Sequence, residues 1–281
     1  MAASSRPTAT AWTRERGLLD RIAHPVRRAA EEGFLVVVGV VVLIWTLLPL
    51  YHMAIVSITP LTDAFGGRFW PDNPTLENYQ SVLFQEHYFL RAFWRQLGNS
   101  LFVAGATMAI VLAVASMASF AIGRLKARFG HVVSNTALLT YLIPMAFLAI
   151  PFYRVMADYG LLNSLWSLVF VMSTFATPYA IWVFRQYSDS IPFELDEAAR
   201  VDGATPMQLY WLVYLPLMRP AMIAIGTYAL LLAWNEYLYA FLLLHHESQA
   251  TIPVAMGYFL NTDDAPWSVS YTHLTLPTMS T

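Results

Sequence analysis

The stretch from Pro192 to Pro220, PFELDEAARVDGATPMQLYWLVYLPLMRP, decides how the rest of the chain is read, because it is a polar island between two long hydrophobic runs whose own tips are too apolar for a simple connector. Pro192 suits the first turn of a helix, where a missing N–H costs nothing, and ELDEAAR continues it with good helix formers. Asp202-Gly203 breaks that helix. Thr205 can cap a second one, Pro206 fits its first position, and Gln208 sits three residues past the cap, where its side chain can reach back. The spacing therefore predicts helix, turn, helix. Leu195, Ala198 and Ala199 fall on one helical face, where the small alanines let another backbone come close, which leaves Glu194 and Glu197 free to meet basic groups.

Glu197-Ala198-Ala199, then Gly203, then Val213 and Leu215-Pro216, at these spacings, resemble the EAA loop of permease subunits in bacterial ABC importers. Val213 stands where that family often has isoleucine. The resemblance covers most of the chain, and WNEYLYAF from Trp234 to Phe241 is similar to the carbohydrate-importing, maltose-transporter-type branch. It implies that the 192–216 loop sits in a cleft of a separate ATPase subunit and carries its opening and closing into the membrane. On that resemblance Glu197, Ala198, Ala199, Asp202, Gly203, Leu215 and Pro216 are the coupling residues. It further implies a second homologous permease subunit, an ATPase dimer and an extracytoplasmic solute-binding protein. The competing reading of the loop is a solvated linker, with Leu209, Tyr210, Trp211 and Leu212 lying on the membrane surface or packing beneath the spans.

Composition places the chain in a bilayer. Of 281 residues 57% are hydrophobic and only 12% charged, against about a quarter charged in soluble proteins. With no cysteine there is no disulfide framework, thiolate metal site or cysteine nucleophile. The net charge of −2 leaves no footprint for nucleic acid.

Outward from the loop, the expected fold is an all-α polytopic bundle with five spans at about 34–57, 97–123, 132–153, 165–184 and 221–244. The second span is thick with small residues (Gly98, Ala104, Gly105, Ala106, Ala113, Ala115, Ser116, Ala118, Ser119) and is expected to face other helices. Pro144 and Pro151 interrupt the third span and Pro178 the fourth; such prolines either shape a bundle or mark a solute path. Between the first two spans, turn formers precede ENYQSVLF, expected as a short helix. Residues 1–33 read as a cytoplasmic tail, 34–267 as the permease domain with its docking loop at 186–220, and 245–267 as an external segment. Arginines of the tail, the Arg124–Arg128 turn and the loop (Arg185, Arg200, Arg219) outnumber Arg68, Arg91, Arg95 and Arg154 on the opposite side, which puts the amino terminus in the cytoplasm.

The resembled family has a sixth span where this chain has none. Ser268–Thr281 reads as a non-native tail, since VSYTHLTLPT from Val269 to Thr278 looks like translated sequencing adaptor joined to a truncated frame; the alternative reading is a natural short tail.

Trp234, Asn235 and Glu236 are the candidate translocation-path residues. Aromatic faces stack on sugar rings, and amide or carboxylate groups accept hydroxyl protons. A carboxylate at bilayer depth is expensive, so Glu236 is expected to face a polar interior, either touching cargo or bonding to neighbouring helices. His245-His246-Glu247 lacks a matching ligand set and reads as a loop rather than a metal site. No phosphate-cradling glycine loop, G-x-S-x-G or H-E-x-x-H occurs, so catalytic and metal residues are expected to be absent and ATP with Mg to be bound by the partner ATPase. The function expected is the permease subunit of an importer in the bacterial inner membrane, moving a sugar or related polyol inward. The alternatives are a permease for another solute class and a proton-coupled secondary transporter using Glu236.

Overall fold

The computed structural model describes residues 9–60, 63, 66–85 and 91–260, and among these every regular element is helical. Helix α1 (Ala9–Ser57) contains the first span and begins well before it, so residues 9–33 continue the spanning helix instead of hanging from it as a coil. Good helix formers such as Arg27, Arg28, Ala29 and Ala30 account for that continuity. From Phe34 to Tyr51 its apolar side chains point away from the rest of the chain, which hydrocarbon accommodates and water would not.

Beyond α1, the ENYQSVL segment forms the expected short helix α2 (Glu77–Leu83). Asn78 Nδ2 donates to the carbonyls of Ser57 and Thr59, both at 3.0 Å, so one buried amide satisfies orphan acceptors at the end of α1.

Three helices make the core: α3 (Phe93–Gly123), then, after α4 (Gly130–Leu139) and α5 (Ala149–Asp158), α6 (Leu165–Asp189), and, after the loop helices α7 (Glu194–Val201) and α8 (Pro206–Leu217), α9 (Arg219–Trp234). The small residues of α3 pack inward in part: Ala104, Ala115, Ser116 and Ser119 are buried, while Gly98 and Ala113 are exposed. Val103, Leu168, Val169 and Met172 anchor one apolar cluster, while Val111, Ala176, Phe184 and Ile225 anchor a second toward the loop.

Three stretches are long and apolar enough to cross a membrane unbroken (Glu31–Ser57, Phe93–Gly123, Leu165–Asp189), and two bent pairs raise the number to as many as five. The expected third span is one of these pairs. Its axis turns by 93° between Ser134–Leu142 and Met145–Asp158. Pro144 is the cause, sitting in extended conformation between two 3₁₀ turns; Pro151 falls in the first turn of α5, where proline costs no hydrogen bond. Pro178 does not break α6, which continues through it to Asp189.

The expected fifth span, 221–244, is likewise not one helix: α9 ends at Trp234 and α10 (Leu238–Leu243) starts after a three-residue break. Between 245 and 267 the structure has a helix that the reading of an external segment omits, α11 (Ile252–Leu260). Ile252, Val254 and Phe259 are buried, and Asn99 Nδ2 holds its approach by donating to Ser248 O at 3.1 Å and Ala250 O at 2.9 Å. The stretch 268–281 lies outside the described residues.

Candidate functional site

The 192–220 stretch folds as the helix–turn–helix its spacing predicts. Helix α7 starts at Glu194, two residues after Pro192, with Glu194, Asp196 and Glu197 in its first turn, where acidic groups favour the positive helix end. It ends in paired backbone bonds: Gly203 N–H donates to Arg200 O at 3.0 Å and Ala204 N–H to Ala199 O at 2.9 Å. This 5→2, 6→1 arrangement requires a left-handed residue, and Gly203 supplies it at φ +84°. The second helix opens with the expected capping box, Thr205 N–H donating to Gln208 Oε1 at 2.8 Å and Gln208 N–H to Thr205 Oγ1 at 3.3 Å.

From Leu209 to Tyr214 the chain widens into a π-helix, which periodicity did not foretell. Pro216 gives the reason. It lacks an N–H and its ring crowds the preceding turn, so a wider turn accommodates it better than an α turn. The widening splits the aromatic cluster: Leu209, Tyr210 and Tyr214 are buried, while Trp211 (59%) and Leu212 (72%) stay exposed. Tyr210 Oη lies 2.8 Å from Ser116 Oγ, and Tyr214 Oη donates to Ser119 Oγ at 3.1 Å. Phe120 stands edge-on to both rings at 5.3 and 5.1 Å. The small residues of α3 thus receive the rings of the loop.

A buried charge ties α7 to the bundle. Arg124, just past the end of α3, brings Nη1 to 3.2 Å from Asp196 Oδ2. It also donates from Nε to Ser188 Oγ (3.2 Å) and from Nη2 to the carbonyls of Ser188 (2.9 Å) and Ile191 (3.1 Å). The approach to Oδ2 makes an ion pair without a hydrogen bond. Arg200 Nη2 in turn donates to Arg124 O at 3.3 Å, and Arg124, Lys126 and Arg200 surround the Phe193 ring at 4.8 to 5.8 Å. These groups line a cleft of about 620 Å³ together with Glu197, Pro206 and Leu209. Sequence reasoning took Arg124 only as a topology charge and left Asp196 out; the available signal was that Phe193, Asp196 and Arg200 recur at i, i+3 and i+7 on one face.

The other predicted loop residues divide by exposure. Glu194, Glu197, Ala198, Asp202 and Gly203 are exposed, whereas Ala199, Leu215 and Pro216 are partly buried. Leu195 (44%), Val201 (87%) and Met207 (60%) add apolar surface to the same arm. The face expected to hold Leu195, Ala198 and Ala199 together is therefore split, with Ala199 against the bundle and the other two outward.

The candidate path residues do not converge. Trp234 is a core side chain at 7% exposure, Asn235 is exposed, and Glu236 Oε1 accepts from Tyr239 N–H at 2.8 Å, capping α10. Tyr239 Oη donates to Met145 O at 2.7 Å, so the break after α9 is fastened to the break at Pro144.

The structure is thus a polytopic helical bundle that presents a helix–turn–helix at one end. Residues 115–272, more than half of the chain, match the family described as binding-protein-dependent transport system inner membrane component. The chain is similar to a trehalose transport system permease protein of Mycobacterium tuberculosis (29% identical, covering 82% of both chains). It is similar to a diacetylchitobiose uptake system permease protein of Streptomyces coelicolor at 27% identity, over 83% of this chain and 84% of that one. Among solved structures it shares the fold of a bacterial ABC transporter involved in the import of the acidic polysaccharide alginate, with TM-score 0.73, 23% identity and coverage of 97% and 94%. The protein belongs to this family of inner-membrane components and is a permease subunit of an ABC importer.

Proposed function

We propose that this chain forms part of a carbohydrate path across the inner membrane and takes its conformational drive from a separate ATPase through the 192–216 arm. The observation that carries the proposal is the arm itself: it turns Leu195, Val201, Met207 and Trp211 outward while Arg124–Asp196 and the Tyr210 and Tyr214 rings fix its other side to α3. An exposed apolar edge on a rigidly mounted element suits a partner's cleft, and a push on it reaches α3 and α6 without passing through a hinge. Glu194, Glu197 and Asp202 supply carboxylates that basic groups of such a cleft would meet.

ATP and Mg belong to that partner in this reading, and this chain contributes no catalytic residue. ATP-driven closure favours one state of the bundle through differential contacts with the arm, and hydrolysis resets it. A second, homologous permease subunit completes the path, and an external binding protein delivers solute. In this reading the arm and the amino terminus lie on the cytoplasmic side, which the excess of arginines there supports. The carbohydrate class rests on the relatives, whose names cite trehalose, diacetylchitobiose, lactose and trehalose with maltose. A proton-coupled transporter using Glu236 is disfavoured, since that carboxylate caps Tyr239.

The test is uptake of labelled trehalose and maltose into proteoliposomes holding the importer with its ATPase and binding protein. Uptake that requires ATP, and that stops when residues 194–208 are replaced by a flexible linker, supports the proposal. Uptake driven by a proton gradient without ATP refutes it.

A further inference from the structure

Next to the Pro144 break lies a group of aromatic hydroxyls that the preceding sections leave without a role. Tyr141 Oη lies 2.6 Å from Tyr228 Oη and donates to Phe175 O at 3.2 Å. The Tyr179 ring lies beside both, 4.8 Å from that of Tyr228 with a 55° tilt and 5.9 Å from that of Tyr141 with a 50° tilt. Trp182 extends the group, nearly parallel to Tyr179 at 6.3 Å. Tyr141 is 47% exposed, and the other three are partly open.

This wall lies at membrane depth. Tyr179 and Tyr228 are roughly 10–15 Å along their helix axes from the ends of α6 and α9 that carry the arm. Beside them the backbone is irregular and open: Ile143 and Pro144 are extended, and Leu142, Ile143 and Phe147 are exposed. Hydrocarbon tolerates irregular backbone only where protein covers it or water lines it, so this face does not look onto lipid. Helix contacts in membranes favour small side chains, which these are not.

We infer that Tyr141, Tyr179 and Tyr228, with Trp182, form a platform for a sugar ring inside the solute path, on the arm side of the Pro144 break. Ring faces pack against the C–H face of a pyranose. When Tyr141 donates to Phe175 O, Tyr228 donates to Tyr141, which leaves both lone pairs of Tyr228 and one of Tyr141 free to accept sugar hydroxyls. This inference rests on the carbohydrate reading and deepens it.

The experiment compares the unmodified importer with Tyr179→Leu, Tyr179→Phe and Tyr228→Phe, measuring trehalose and maltose uptake, ATP hydrolysis and the content of second permease subunit in the purified complex. Loss of the Tyr179 ring is expected to reduce uptake per ATP by about tenfold. Loss of the Tyr228 hydroxyl is expected to reduce it by about three- to tenfold. Tyr179→Phe keeps most of the uptake, and complex composition is unchanged. Variants that transport like the unmodified importer overturn the platform and leave the carbohydrate reading standing. Variants that shed the second permease reassign the wall to a subunit contact and also overturn it. If the unmodified importer moves none of trehalose, maltose, lactose and diacetylchitobiose, the carbohydrate reading fails and the platform with it.

Discussion

Arg124 Nη1 and Asp196 Oδ2 meet at 3.2 Å with both side chains almost sealed from water, which ties the loop helix to the end of α3. Removing only one partner leaves the other charge buried, which costs about 3–5 kcal/mol. Arg124 keeps its bonds to Ser188 and Ile191, so Asp196→Ala is expected near the low end of that range. Thermal unfolding of the purified subunit complex measures it. A midpoint unchanged by Asp196→Ala would mean that the pair contributes nothing to holding the arm.

Gly203 tests the turn alone. A Cβ built there meets no atom within 4 Å, so the whole penalty of Gly203→Ala is the left-handed backbone, about 1–2 kcal/mol. Gly203→Asn, which tolerates that conformation better, is expected to lose less. The order glycine, asparagine, alanine in thermal midpoint is the predicted result; equal midpoints contradict it.

The cap on α8 is open to the same treatment. Thr205→Ala removes the acceptor for Gln208 N–H and is expected to cost about 1 kcal/mol, while Thr205→Ser is nearly neutral. Hydrogen exchange of the amides of Met207 and Gln208 reports it, with faster exchange in the alanine variant only.

Much of this arm is legible in local spacing. A capping box, a glycine turn and a proline break each involve residues within five positions of one another, so Thr205, Gly203 and Pro144 announce themselves. Arg124–Asp196, Tyr141–Tyr228 and Tyr239–Met145 join residues far apart in the chain, and no periodicity encodes which distant side chain fills a given place. Trp234 shows the same limit: its indole suits a sugar by residue type, while its burial in the apolar cluster with Val103 and Leu168 depends on residues distant in the chain. Helix α11 was hidden by its neighbourhood, because IPVAMGYFL is too short to cross a membrane and its burial depends on α3.

Glu236 separates a cap from a proton carrier. Glutamine retains an oxygen that can accept Tyr239 N–H, so Glu236→Gln is expected to keep uptake within about twofold, whereas Glu236→Leu loses the cap at about 0.5–2 kcal/mol. Uptake abolished by glutamine substitution would require the charge itself.

The most direct measurement uses the absence of native cysteine in this chain. A single Val201→Cys variant, 87% exposed at the tip of α7, is assembled with its partners and treated with a short bifunctional crosslinker. The result expected is a covalent product with the ATPase subunit, formed in inside-out vesicles and changed in yield by ATP. Labelling of the same position from the outer face, or active transport with no ATPase product, would contradict the arm's place in the mechanism.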